Sequence, residues 1–120
     1  MTDRAKARDK SHYEVIVVGA GVAGIYQIKR LVDLGIDAVV LDSAPDLGGT
    51  WYWNRYPGCR FDSESYTYGY SFSRELLDEW HWKERFSGQP ENLRYLNRVA
   101  PAARRLVAPA WLLASRCRRR

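Results

Sequence analysis

Gly19-Ala20-Gly21-Val22-Ala23-Gly24 spaces three glycines as G-x-G-x-x-G, and Asp42 stands eighteen residues beyond the last of them. A dinucleotide pyrophosphate needs this arrangement. The first glycine permits a tight turn, the second lets the backbone approach the phosphates, and the third lets a helix pack closely on a strand. The helix start then offers free N–H groups and a positive dipole end, while a carboxylate about 20 residues further on can accept from the ribose hydroxyls. The same glycines also describe a turn with no ligand, so the flanking elements must decide. A carboxylate at Asp42 repels a 2′-phosphate, which leaves FAD or NAD for this site and disfavours NADP. Gly48 and Gly49 would let the chain pass along the diphosphate of FAD, although ordinary turn glycines explain the pair nearly as well. Asp62, next to Ser63, is a candidate acid whose spacing equally fits a turn or a helix cap.

The elements that must hold these residues follow from periodicity. Tyr13 to Val18 is a nearly continuous β-branched run, the pattern of a buried parallel strand, and it leads directly into Gly19. From Val22 to Leu34 the residues Val22, Ile25, Ile28, Leu31, Val32 and Leu34 recur at helical spacing, and Gly35 supplies the stop. Asp37 to Asp42 reads as a second strand, broken by Pro45 and Asp46. Strand, helix and strand make the βαβ context that the glycine pattern requires. Residues 51–86 contain 12 of the 16 aromatic side chains, so a long loop packed by its own rings is expected through about Phe72. Helices are expected over Arg74 to Phe86 and, after Pro90, over Glu91 to Val99.

Composition removes several classes. The formal charge is +5. Residues 1–100 carry 13 Lys and Arg against 14 Asp and Glu, and the surplus comes from arginines 104, 105, 116, 118, 119 and 120. A nucleic-acid footprint would need basic residues over one face of the body, so no nucleic-acid partner is expected. Cys59 and Cys117 have no partners at metal spacing; they read as inert thiols in a reducing cytosol, with neither a disulfide framework nor a metal site. Met1 to Ser11 lacks an apolar signal segment, and the longest apolar run, Ala108 to Ala114, is too short to span a bilayer, so a cytoplasmic protein without membrane association is expected.

The glycine turn, Asp42, the string Gly48-Gly49-Thr50-Trp51-Tyr52-Trp53-Asn54-Arg55-Tyr56-Pro57-Gly58, Asp62-Ser63-Glu64-Ser65, the Tyr-rich segment Tyr66 to Phe72 and Gln89-Pro90-Glu91 together resemble class B flavoprotein monooxygenases. Within that class the chain is similar to Baeyer–Villiger monooxygenases of the phenylacetone, cyclohexanone and steroid type, over residues 13 to about 99. The resemblance implies an α/β fold, a partial Rossmann-like FAD-binding domain made of the βαβ unit, the aromatic loop and two short helices. It also implies that Gly19, Gly21, Val22, Ala23 and Gly24 hold the FAD pyrophosphate, Asp42 the adenosine ribose, and Gly49, Thr50, Trp51 and Trp53 the stretch along the flavin. The family usually has Glu at the ribose position, and Asp42 is one methylene shorter. By the same resemblance Asp62 is the catalytic aspartate at the reacting edge of the flavin, its carboxylate working with a distant arginine to keep the peroxyflavin deprotonated. Tyr68 is a flavin contact, and Arg60, Phe61 and Asp62 lie beside the nicotinamide of NADPH. The small-molecule partner implied is a ketone, oxygenated to an ester or lactone. Without the resemblance, Tyr68 and the tryptophans read as ring packing, and His12 and His81 as exposed and idle.

The resemblance breaks off after Val99-Ala100. The family's second fingerprint for NADPH, its linker signature Phe-x-Gly-x-x-x-His-x-x-x-Trp and the partner arginine are not in the chain. A complete doubly wound domain takes about 150 residues or more, so the expectation is a truncated domain: residues 1–12 a disordered leader, 13–100 a partial FAD-binding domain, and 101–120 an Ala/Arg-rich tail without packed structure. With two strands expected, both sheet faces would lack their usual cover, and the chain alone is expected to be inactive. Two other readings stay open here: a fragment of an N- or S-oxygenating class B monooxygenase, and a non-enzymatic module whose basic tail binds acidic surfaces.

Overall fold

Strand β1, Val15–Val18, runs parallel to β2, Ala38–Asp42, with Val15 opposite Ala38 and Val18 opposite Leu41. The computed structural model describes residues 12–100 and 107–109. Helix α1, Val22–Asp33, crosses between the two strands and buries Gly24, Ile25 and Ile28, the stripe its 3.6-residue period dictates. Its end is a Schellman motif, in which the Gly35 N–H donates to the Val32 carbonyl and the Ile36 N–H to the Leu31 carbonyl. The βαβ unit therefore matches the expectation from periodicity to within a residue or two.

A third parallel strand, β3, Val107–Pro109, pairs with the other side of β2, and Pro109 stands opposite Asp42. Composition had pointed to no packed element there. A short apolar segment gains ladder hydrogen bonds from the open edge of β2 that it cannot find in isolation. The remainder of the tail and the leader up to Ser11 lie outside the described residues. The near-continuous β-branched run of β1 reads as a buried strand, while a truncated sheet is expected to lack cover on both faces; the structure lies between the two, with one face covered by α1. Only Val17 is buried, while Ile16 and Val18 are 53% and 85% exposed.

The aromatic loop contains two single-turn helices, α2, Thr50–Trp53, and α3, Ser65–Tyr68. Helix α4, Arg74–Glu79, begins with the Ser73 hydroxyl accepting from the Leu76 N–H at 3.2 Å, and it stops well before Phe86. The reason lies in the rings. Trp80 and Trp82 pack on Tyr95 at 5.3 and 4.7 Å between centroids, and residues two apart share a face only in extended chain. Helix α5, Gln89–Val99, starts two residues earlier than expected, with Pro90 in its first turn, where the missing N–H costs nothing. Tyr95 and Leu96 are its buried residues facing the core with Ile25, Ile28, Val40, Leu47, Trp51 and Phe61. Among the described residues no helix is long and apolar enough to cross a membrane.

Candidate functional site

The glycine turn sits between the end of β1 and the start of α1, and two contacts dictate its composition. A Cβ on Gly24 would lie 1.8 Å from the Gly19 carbonyl oxygen, so helix and turn can be this close only without a side chain. A Cβ on Gly49, whose φ is +54°, would lie 2.8 Å from the Gly21 Cα. The Gly48-Gly49 bend thus rests on the fingerprint turn itself, and the Gly48 N–H donates to the Ala20 carbonyl at 2.9 Å.

Helix α1 has Gly21 as its N-cap, with no side-chain cap and no acid in its first turn. The amides of Val22, Ala23 and Gly24 precede the first ladder bond, from the Ile25 N–H to the Gly21 carbonyl. They are the orphan donors of the helix start, and with the dipole they favour an anion.

Asp42 ends β2 and is buried. Its Oδ2 accepts from the Ala20 N–H at 2.6 Å and its Oδ1 from the Ala44 N–H at 2.7 Å. Sequence spacing had assigned this acid to a ribose; the fold additionally makes it the clamp that shapes the glycine turn. Each carboxylate oxygen has about two acceptor positions, so one position per oxygen remains for a hydroxyl.

Trp51, Phe61 and Tyr68 form a second cluster. The Trp51 ring stands edge-on to Phe61 at 5.0 Å and to Tyr68 at 6.1 Å, its Nε1–H donates to the Tyr68 hydroxyl at 3.0 Å, and Phe61 lies 3.9 Å from Tyr68. Thr50 is exposed and its hydroxyl accepts from Asn54 Nδ2 at 2.7 Å. The structure does not bring the other candidates into this cluster as partners. Trp53 is exposed and packs edge-on against Tyr52. Arg60 pairs with Glu84 at 2.9 Å and donates to the Phe86 carbonyl. Asp62 is exposed, with no hydrogen bond or ion pair among the described residues. Nor, among those residues, does any group of three His, Cys, Asp or Glu stand close enough to hold a metal ion.

Several residues that hold the site gave little signal in the sequence. Gln89 donates through Nε2 to the Trp51 carbonyl at 2.5 Å, and its N–H donates to the Cys59 carbonyl at 2.8 Å, so α5 fixes both ends of the Trp51–Cys59 stretch. Ser65, Ser87, Glu91 and Asn92 are buried and linked: the Ser87 hydroxyl donates to Glu91 Oε2 at 2.6 Å, the Ser87 N–H donates to the Ser65 hydroxyl at 3.0 Å, and Asn92 Nδ2 donates to the Ser87 carbonyl at 3.2 Å. The Tyr70 hydroxyl donates to the Val22 carbonyl, and the Tyr70 N–H donates to the Tyr95 hydroxyl at 2.6 Å. Burial pushes both phenols above their ordinary value of 10.0, helped at Tyr70 by Tyr95 and Tyr68 and opposed at Tyr95 by the hydrogen bond from the Tyr70 amide. Only the Gln-Pro-Glu run and the tyrosine density hinted at these roles.

The NAD(P)-binding Rossmann-like domain family matches residues 17–80, more than half of the chain. Among curated relatives, 2-oxo-Δ3-4,5,5-trimethylcyclopentenylacetyl-CoA monooxygenase of Pseudomonas putida is 49% identical over 102 residues, which are 85% of this chain and 18% of the relative. A Baeyer–Villiger monooxygenase of Pseudooceanicola batsensis is 49% identical over 89 residues, 73% of this chain and 16% of the relative. Phenazine N-monooxygenase PhzNO1 of Lysobacter antibioticus is 49% identical over 92 residues, 76% and 17%. Among solved structures, OTEMO in complex with FAD and NADP superposes with a TM-score of 0.75 at 47% identity, covering 81% of this chain and 19% of that one. The chain spans less than a fifth of the length of these relatives. The chain belongs to the NAD(P)-binding Rossmann-like domain family, and its relatives there include monooxygenases of the Baeyer–Villiger type.

Proposed function

We propose that this chain forms the FAD-binding front of an NADPH-dependent flavin monooxygenase that inserts oxygen next to a ketone carbonyl in a reducing cytosol. The single observation that carries the reading is the set of uncapped amides of Val22, Ala23 and Gly24, opening α1 directly after the Gly19–Gly21 turn, with Asp42 beside it at the end of β2. The residues fit the group: the amides take the pyrophosphate, Asp42 has one free acceptor position per oxygen for the ribose, and the close-packed Gly49 leads into Thr50, Trp51 and Trp53 along the flavin. Tyr68 and Phe61 back Trp51 through ring contacts and one hydrogen bond.

When bound, FAD supplies the redox centre that activates oxygen, with NADPH as reductant. The chain's own contribution is to orient that centre and to exclude water from one side of it. Asp62, exposed and unpaired among the described residues, would be available at the flavin's reacting edge, and the segment of Arg60 and Phe61, with Phe61 buried against Trp51 and Tyr68, would lie beside the nicotinamide. Titrating the purified 120-residue chain with FAD tests the reading. Quenched flavin fluorescence and a raised melting temperature are expected; indifference to FAD at high micromolar concentration would end it. The phenazine N-monooxygenase relative supports a second reading, the front of an N-oxygenating enzyme. A chimera placing residues 13–100 in a full-length ketone monooxygenase discriminates: ester formation supports the first reading, and N-oxide formation alone supports the second.

A further inference from the structure

Tyr70 is 48 residues from Val22 in the chain, yet its hydroxyl donates to the Val22 carbonyl, the first carbonyl of α1. A carbonyl oxygen has two lone pairs, of which the helix ladder uses one. The carbonyl of Val22 and the N–H of Ala23 belong to the same peptide group. A donor placed on the oxygen draws electron density through the amide and makes the N–H on its other side a stronger donor, as in any polarised hydrogen-bond chain. That N–H is the second of the three orphan amides at the helix start.

Tyr70 is held for this task from three sides. Its backbone N–H is fixed by the hydroxyl of Tyr95, itself buried on α5. Its ring stacks on Tyr26 of α1 at 6.4 Å and 13° between planes, and it leans on Phe72 at 5.0 Å. Burial raises its phenol above the ordinary value of 10.0, so the hydroxyl remains a donor through neutral and mildly alkaline pH.

We infer that Tyr70 is a positioning residue for the phosphate cradle: its hydroxyl fixes the first turn of α1 and strengthens the Ala23 N–H as a donor to the cofactor's phosphate. The inference rests on the FAD reading above, and the test separates the two. In the 120-residue chain, Tyr70→Phe is expected to weaken FAD binding roughly three- to tenfold, about the worth of one hydrogen bond, and to move the Ala23 amide proton resonance upfield while strand β1 amides stay in place. Replacing Tyr70 by 3-fluorotyrosine and 3,5-difluorotyrosine keeps the ring and strengthens the donor; FAD affinity is expected to rise along that series, which a purely structural role would not produce. Leu76→Val, a buried change on α4, serves as the stability control and is expected to lower the melting temperature without changing FAD affinity. Equal affinity of wild type and Tyr70→Phe, with an unmoved Ala23 resonance, would overturn this inference while leaving the FAD reading intact. Failure of the wild type to bind FAD would overturn both.

Discussion

Gly24 and Asp42 show how single residues set the cradle. Adding one methyl at Gly24 would put carbon within 1.8 Å of the Gly19 oxygen, so Gly24→Ala must push the helix off the turn. Overpacking of this kind costs about 1–3 kcal/mol, and because the displaced parts are the proposed phosphate donors, FAD binding is expected to vanish along with part of the stability. Urea denaturation and flavin fluorescence together check this; retained binding would mean that the turn can give way cheaply. Asp42 makes two hydrogen bonds to backbone amides from a buried carboxylate. Asp42→Asn replaces one acceptor by an NH2 that must face an N–H. A loss of about 1.5–3 kcal/mol is expected, in the range for hydrogen bonds to a charged group, and it should be visible without any cofactor. A change confined to FAD affinity would show that the acid serves the ribose alone.

At the scale of elements, α5 organises the loop that the glycine unit cannot reach. Gln89 holds the ends of the Trp51–Cys59 stretch, and Tyr95 holds Tyr70 and the two tryptophans Trp80 and Trp82. Tyr95→Phe keeps the ring contacts and leaves the Tyr70 N–H without its acceptor. The expected cost is about 1–3 kcal/mol in urea denaturation, and a loss below about 0.5 kcal/mol would mean that water replaces the hydroxyl. The same pair sets an alkaline limit. Burial raises both phenols above 10.0, while in the unfolded chain they ionise near 10. Their contribution is therefore fully present below pH 10 and is lost as pH rises through the folded values. Stability measured from pH 8 to 11 should fall more steeply in wild type than in Tyr95→Phe; parallel curves would remove the phenols as the cause.

For the molecule as a whole, the sheet is covered unequally. Helix α1 lies on the face of Val17, while Ile16 and Val18 of β1 remain in water at 53% and 85% exposure. Exposed apolar side chains on an edge strand promote association. The double change Ile16→Thr, Val18→Thr keeps β-branched residues and is expected to reduce concentration-dependent light scattering with a stability change of about 1 kcal/mol or less. A collapse of stability would show that this face is buried in solution. Cofactor should act in the opposite sense: at a hundred times its Kd, FAD is expected to add about 2.7 kcal/mol by mass action, read as an upward shift in melting temperature that grows with the logarithm of FAD concentration.

Local rules were enough for the βαβ unit. A β-branched run, a 3.6-residue apolar stripe and a glycine stop each act within a few residues, and they placed β1, α1, β2 and the glycine turn where the structure has them. The fingerprint turn was legible for the same reason, since Gly24 is demanded by a contact with Gly19 only five residues away. What only the tertiary structure decided depends on partners far along the chain: the early end of α4, drawn out by rings that meet Tyr95; the strand at 107–109, which exists through the open edge of β2; and the grip of Gln89, Tyr70 and Asp42, whose hydrogen bonds reach 38, 48 and 22 residues away. A side chain's hydrogen-bond partner at such separations is fixed by how the elements pack, and no periodicity in the sequence records it.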